Sequence, residues 1–325
     1  METKYDVVKY NPEYKDQVIE LQKHLWSSNK VVNAAYFEWK YERNPYVDTP
    51  HIYLVLYEGQ VVGMRGMFGA RWQIGNPRKT FLGLCAGDLV IAPEHRNRGL
   101  FTKIMINTLK DLADKNYHYI FSLSSGPVTR LSSLATGWRS IGNLEAFGWK
   151  PRHRNISRRL RKYMTELSLP PLAKAHDPFY FLDKNTLRRQ GRISPHVSIA
   201  KTPRPEVMAE LVERIGYDGR IRHVRDKEYF SWRFNNPLSS YRFLFWEDSR
   251  LEGYLILQTK FNDDTLRVSI VDWEAANPRV QSELIEAVLR LEKFEAMIIW
   301  TATLPDAVKV LLGKNGFRVL GEAKS

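Results

Sequence analysis

One ordered series of segments runs through this chain twice, at an offset of about 190 residues. In the first half NPEYKDQVIEL begins at Asn11 and leads to YFEWKYERNP at 36–45; in the second RPEVMAELVER begins at Arg204 and leads to YFSWRFNNP at 229–237. Trp39 follows Pro12 by 27 residues, and Trp232 follows Pro205 by 27. A strand-like segment precedes each block, YDVVKY (5–10) and HVSIAK (196–201). An alternating segment with a turn follows each, IYLVLYEGQVVG (52–63) and YRFLFWEDSRLEG (241–253). GDLVIAP (87–93) then answers to VDWEAANP (271–278), YHYIFSL (117–123) to AMIIWTA (296–302), and GWRSIG (137–142) to GFRVLG (316–321). Periods of about 20–50 residues belong to solenoids, whereas a period this long means two copies of one domain.

Within each copy the order is strand, helix, helix, strands, helix, strand, helix, strand. That order mixes antiparallel hairpins with at least one βαβ crossover, so the expected class is α+β, a mixed α/β layered fold with a central sheet flanked by helices in each copy. The expected division is 1–162 for the first domain, 163–192 for a linker carrying the prolines of PPLAKAHDPFYF, and 193–325 for the second. A chain of 325 residues with 43% hydrophobic and 12% aromatic content can bury two cores. No apolar run approaches the ~20 residues that span a bilayer. The start METKYDVVKYNPEY has neither the basic nor the apolar region of a secretory leader. The single Cys85 excludes an intrachain disulfide and a cysteine-rich metal site, so no metal is expected and the location expected is cytoplasmic.

The net charge of +13 favours an anionic partner. Its densest stretch, KPRHRNISRRLRK (150–162), reads as a solvated strand face or a link between domains. No helix-turn-helix, RRM or zinc-finger pattern accompanies it, so sequence-specific nucleic-acid binding is not expected. The informative segment is LVIAPEHRNRGLFTKIMINTLKDLADKN (89–116). An apolar strand is stopped by Pro93, and HRNRG leads straight into a helix with Leu100, Ile104, Ile106, Leu109 and Leu112 mostly on one side. A glycine just before a helix lets a ligand approach the backbone, and the amides at a helix start attract an anion. Arg96 and Arg98 add charge suited to a pyrophosphate. An ordinary basic turn is the plainer alternative, and neither a Walker loop nor a Rossmann fingerprint is present.

The string VIAPEHRNRGLF resembles motif A of the GNAT superfamily of N-acetyltransferases, [QR]-x-x-G-x-[GA] after a strand that ends near proline. Arg96 fills the first position and Gly99 the central one; Phe101 stands where glycine or alanine is usual, leaving less room against a cofactor. GWRSIG resembles the G-F-x-x-x-G strand that ends such domains. The resemblance implies two tandem GNAT-like domains and a donor of acetyl-CoA or a longer acyl-CoA. Its pyrophosphate would lie on the amides of Arg96, Asn97, Arg98, Gly99, Leu100, Phe101 and Thr102, and its pantetheine arm along Val90 and Ile91. The second copy, ANPRVQSELIEAVLRLEKF (276–294), has no arginine-glycine spacing of this kind, so one donor site is expected, in the first copy.

The reaction implied is transfer of the acyl group to a primary amine of a small molecule, an amino sugar or a peptide side chain; an acyl carrier protein is a further conceivable donor. The tyrosine that serves as acid in many members falls at Ser133, so Ser133, Ser132, Ser124 or water would have to substitute. Asp88, the carboxylate on the strand entering the loop, could be the base, although Asp272 at nearly the same place in the second copy argues for a shared structural role. The carboxylate of Ser325 is another conceivable base. Cys85 as an acyl carrier and His95 beside the loop are weaker candidates. Tyr36 and Trp39 read first as core and second as lining for the acceptor. Two further readings stay open: a Fem-type aminoacyl-tRNA-dependent transferase, which pairs two such domains, and a non-catalytic module that senses CoA or docks a partner.

Overall fold

The computed structural model describes residues 5–123, 126–151, 179, 193–260, 267–291 and 294–320. The first copy runs β1 (Tyr5–Lys9), α1 (Lys15–Leu21), α2 (Lys30–Phe37), β2 (His51–Tyr57), β3 (Gln60–Ile74), β4 (Lys79–Ile91), α3 (Leu100–Leu112), β5 (Tyr119–Phe121), α4 (Pro127–Ala135) and β6 (Ala146–Trp149). The second runs β7 (Val197–Ala200), α5 (Pro205–Ile215), β8 (Arg222–His223), α6 (Lys227–Arg233), β9 (Ser239–Glu247), β10 (Leu251–Lys260), β11 (Arg267–Ala275), α7 (Pro278–Arg290), β12 (Ala296–Trp300), α8 (Asp306–Lys314) and β13 (Arg318–Val319). The mixed α/β layering and the doubling expected from the repeat are both present.

Each copy builds its own mixed sheet. The first has the order β1-β2-β3-β4-β5, antiparallel except for β4 beside β5. Helices cover both faces, and this is why IYLVLY reads as an unbroken apolar run rather than an alternation. Leu54 packs with Val18, Phe37 and Met64 under α1 and α2, whereas its neighbour Val55 packs with Ile104, Met105 and Leu84 under α3. The second sheet has two such cores, one under α5 and α6 and one under α7 and α8. Helix starts follow their capping residues: the Asn29 side chain accepts from the Val31 amide at 2.9 Å, and that of Asp226 from the Tyr229 amide at 2.9 Å.

The hydrogen bonds do not divide at residue 162. The second sheet has the order β13-β6-β12-β11-β10-β9-β7, so β6, from the first copy, is inserted antiparallel between β12 and β13. In return β8, from the second copy, pairs with the end of β3 at Trp72 and Gln73. The segment GWRSIG is not the closing strand that its resemblance suggested. Gly137 (φ 91°) and Gly142 (φ 149°) take conformations that favour glycine, Ile141 is fully exposed, and the strand forms later, at AFGW. The basic stretch 152–162 and the linker 163–192 lie outside the described residues except Phe179, which is buried in the α7–α8 core.

The two copies meet at their matching tryptophans. Trp39 Nε1 donates to the Trp232 carbonyl at 2.9 Å, and Trp232 Nε1 donates to the Trp39 carbonyl at 2.8 Å. The rings stack with centroids 5.2 Å apart and planes 11° apart. Such reciprocity, i to j and j to i, is what a two-fold relation produces. Beside it Trp72 stacks on His223 at 3.8 Å, and Arg71 pairs with Asp226. A polypeptide beginning at residue 193 lacks β6 and therefore leaves the second sheet incomplete between β12 and β13. It is expected to melt without a cooperative transition and to aggregate where the whole chain melts cooperatively, which calorimetry and light scattering will show.

Candidate active site

The loop at Arg96–Thr102 is shaped by the way α3 begins. Pairing of β4 ends at Ile91, and Pro93 opens a 3₁₀ turn through His95. Asn97 (φ 59°) and Gly99 (φ 70°) then take left-handed conformations, and Gly99 is the residue before Leu100–Leu112. A Cβ on Gly99 would meet no atom within 4 Å, so glycine is required by the backbone conformation and the space above it is open. No side chain caps this helix. The amides at its start therefore face the exposed run Arg96–Gly99, the arrangement that receives an anion. In the second copy the same helix is closed off, because Pro278 removes a donor and the Asn277 side chain accepts from the Val280 amide at 3.0 Å. Arg96 folds back so that its Nε donates to the Ile91 carbonyl at 3.0 Å, tying the loop to the strand end while its guanidinium stays exposed.

Phe101 is half-buried and packs against the core under α3. Leu100 is buried in that core and Thr102 is exposed. His95 is held by Tyr5, whose hydroxyl lies 3.0 Å from its Nδ1, and by the Tyr57 ring at 4.9 Å, so it anchors the 3₁₀ turn to β1 and β2.

A slot leads from the loop along β4. The strand pairs with β3 over its whole length, from Lys79 to Ile91. On its other edge β5 pairs only Gly83, Leu84 and Cys85, with Tyr119, Ile120 and Phe121. Among the described residues no strand pairs with that edge from Ala86 to Ile91, and the Ile91 carbonyl already accepts from Arg96 Nε. Val90 is buried under α1 and α2, and Ile91 is half-buried.

Asp88 sits in the middle of this stretch and is not a free base. The register of β3 and β4 shifts there, with Gly66 opposite Gly87 and Arg65 opposite Leu89, so Asp88 is an extra residue, a β-bulge, with φ 26°. Its carboxylate is wholly covered, accepting from Lys40 Nζ at 2.7 Å and from the Tyr41 hydroxyl at 2.8 Å. Lys40 also donates to the Tyr36 hydroxyl at 3.0 Å. Burial alone would lower the Lys40 pKa, but the carboxylate of Asp88, with Tyr36, more than reverses this and holds it above the usual lysine range. Burial first, and the Asp88 charge second, push the Tyr36 and Tyr41 phenols up. Room for the pair comes from glycine: a side chain at Gly66 would overlap the Tyr41 hydroxyl, and one at Gly87 would come within 2.7 Å of Lys40 Nζ. Losing one member of a buried ion pair typically costs about 3–5 kcal/mol, because the other is left uncompensated.

The remaining candidates lie elsewhere. Tyr36 is buried in this network, whereas Trp39 is at the junction between copies. There Trp39 and Trp232 line a cavity of about 460 Å³ with Glu38, Arg43, Glu228 and Asn235. That cavity shares no residue with the loop at Arg96–Thr102. Ser133 donates its hydroxyl to the Thr129 carbonyl at 2.8 Å within α4, so its proton is engaged in its own helix. Ser124 and Ser325 lie outside the described residues. Burial pushes the Cys85 thiol up to about 11, which leaves little thiolate at neutral pH. Among the described residues no cluster of His, Cys, Asp or Glu could hold a metal, and no helix is long and apolar enough to cross a membrane. Lys40 was not legible as a site residue, and its nearest signal was the extra residue between Trp39 and Pro45 relative to Trp232 and Pro237.

The profile of the acetyltransferase (GNAT) domain matches residues 6–129, from β1 into α4, and so takes in β4, Asp88 and the whole loop. The first copy is thus the part of the chain that is similar to the GNAT acetyltransferase domain. Ser133 falls just past the matched part of that domain. No curated protein matches the chain in sequence. Several solved structures share its fold across both GNAT-like copies. A conserved Enterococcus faecalis V583 protein described as a probable N-acyltransferase aligns with a TM-score of 0.62 at 11% identity, covering 98% of this chain and 70% of that one. A GCN5-related N-acetyltransferase from Anabaena variabilis ATCC 29413 gives 0.60 at 12% identity over 97% and 70%. Eis1 from Mycobacterium abscessus gives 0.56 at 12% over 98% and 71%. At these identities the likeness speaks for the two-copy fold. Within the GNAT domain Cys85 is expected to resist iodoacetamide at pH 8 until the protein is unfolded; mass spectrometry of the labelled chain checks this, and rapid native labelling would show an activated thiol.

Proposed function

We propose that this protein is an N-acyltransferase that takes the acyl group of acetyl-CoA, or of a longer acyl-CoA, to a primary amine of a small molecule, an amino sugar or a peptide side chain. The observation that carries the reading is the uncapped, glycine-started helix at the end of a strand with one open edge, present in one copy and closed off by Asn277 in the other. The amides from Arg96 to Thr102 would hold the pyrophosphate, with the exposed guanidinium groups of Arg96 and Arg98 beside them. The open edge of β4 at Val90 and Ile91 would take the pantetheine arm by backbone hydrogen bonds. The donor supplies a thioester. The amine nitrogen bonds to its carbonyl carbon, the C–S bond breaks, the amine gives up one proton and the departing thiolate takes one.

The chain's own part in that reaction is to bind, align and exclude water. A backbone N–H on the open edge of β4 would meet the carbonyl oxygen as charge develops there. Asp88, wholly covered and bonded to Lys40 and Tyr41, does not reach the amine directly, so the proton leaves through solvent. The C-terminal copy would serve as scaffold or acceptor-binding half. Nothing in the loop favours an acyl carrier protein over CoA itself as donor. The reading keeps the protein in the cytoplasm, where a lone cysteine stays reduced.

The engaged hydroxyl of Ser133 favours a second reading, a GNAT domain that senses CoA without turnover. Calorimetry with acetyl-CoA tests the first step. Binding is expected, and Arg96→Ala should weaken it about ten- to a hundredfold, as loss of a charge-assisted contact does. Arg96→Ala combined with Gly99→Val should abolish binding while melting stays cooperative; unchanged affinity would place the cradle elsewhere. Thiol release from acetyl-CoA with a panel of amines then separates an enzyme from a sensor.

A further inference from the structure

The helix that carries Lys40 and Tyr41 is irregular in one copy only. After α2 the chain makes a single π-helical turn over Glu38–Glu42, closed by the Arg43 amide donating to the Glu38 carbonyl at 2.8 Å. A π turn is one residue inserted into an α-helix, and such insertions concentrate at functional positions. The sequence shows the insertion: Trp39 to Pro45 is six steps, and Trp232 to Pro237 is five. In the second copy α6 stops at Arg233, and the Asn235 amide donates to the Trp232 carbonyl at 3.1 Å with no wide turn.

The inserted residue changes what the helix can reach. Lys40 and Tyr41 are neighbours, which an α-helix would point about 100° apart, yet both bond the two oxygens of the Asp88 carboxylate. The counterpart of Tyr41 is Phe234, which has no hydroxyl to offer. The strands differ in the same sense. Both β4 and β11 carry a register shift at this level, but the extra residue of β11 is Val271, and its φ is not positive. In β4 the extra residue is Asp88, held at φ 26°, a conformation that L side chains rarely adopt and that persists only where its surroundings impose it. The copy with the open cradle therefore has a left-handed bulge whose own carboxylate is clamped; in the other copy the bulge residue is Val271, with no positive φ, and the clamp of Arg225 at 2.8 Å and the Tyr254 hydroxyl at 3.2 Å falls on its neighbour Asp272.

We infer that Lys40 and Tyr41 are positioning residues for the donor strand, which through Asp88 fix the bulge of β4 so that amides on its open edge meet the acyl carbonyl. The inference rests on the donor reading above and adds to it a part for residues on the opposite wall of the sheet. Neither residue touches the donor; each acts on backbone geometry at Asp88, two residues before Val90.

The test reads the carbonyl itself and needs no acceptor. Infrared difference spectra of [1-¹³C]acetyl-CoA bound to the whole protein are expected to show the thioester carbonyl band below its position in free acetyl-CoA. Tyr41→Phe removes one bond to Asp88 while keeping the ring against Phe37, and it should move the band part of the way back. Lys40→Met with Asp88→Asn removes both charges together, so neither is left buried alone, and it should return the band to the free position. Affinity for CoA, which has no acyl carbonyl, should stay within about threefold in both variants, because the cradle is untouched and distant sites act independently. A band that stays fully shifted in both variants overturns the inference and leaves the donor reading standing. So does a loss of CoA affinity parallel to the loss of shift, which would mark a merely structural role. Failure of the unaltered protein to bind acetyl-CoA would remove the donor reading itself.

Discussion

A carboxylate taken out of water must be matched, and in the GNAT domain that requirement falls at Asp88. The desolvation cost of the pair Lys40–Asp88 is offset only if both charges are close and their remaining hydrogen-bonding capacity is met. Tyr41 and Tyr36 meet it. The rest of the neighbourhood follows from fitting these four side chains over a sheet. Glycine stands at 66 and at 87, opposite each other in the ladder, because a Cβ at either would collide with the clamp. The helix widens by one residue, and the strand bulges by one residue. Two irregularities, one in each layer, thus have one cause.

The two copies show how a duplicated fold diverges without changing its frame. Strand order, helix placement and the aromatic helix that carries Trp39 or Trp232 are kept, since both copies use that helix to hold each other. Besides the π turn and the strands added beyond β12, what differs is the start of the helix that follows β4 or β11. In the first copy a left-handed glycine starts the helix and no side chain caps it; in the second Asn277 and Pro278 close the same position. Each closure is worth only about 1 kcal/mol as a cap. It occupies the amides a diphosphate would need.

The repeat, the mixed layering and the loop at Arg96–Thr102 were legible in the sequence, because each rests on local signals: spacing, alternation, a proline stop and a glycine before a helix. Asp88 was legible as a carboxylate on the donor strand but not as a buried partner of Lys40, which lies 48 residues away and belongs to another layer. The extra residue between Trp39 and Pro45 was visible, yet a one-residue difference in a short helix carries no meaning until the i to i+5 bond is seen. Phe101 looked like an obstruction because the motif is written as a line, whereas on a helix its side chain turns toward the core. The destination of β6 was not legible at all. AFGW alternates as well for one sheet as for another, and which edge it joins depends on contacts with β12 at residues 297–300.

That exchange limits how the molecule can move. A strand from each copy is hydrogen-bonded into the other's sheet, β6 within a ladder and β8 at the far end of β3. Two-domain proteins often admit ligands by swinging apart about a linker, but here such a swing would have to break the β3–β8 pairing at Trp72 and Gln73 and part the Trp39–Trp232 pair. The halves are laced together through both sheets.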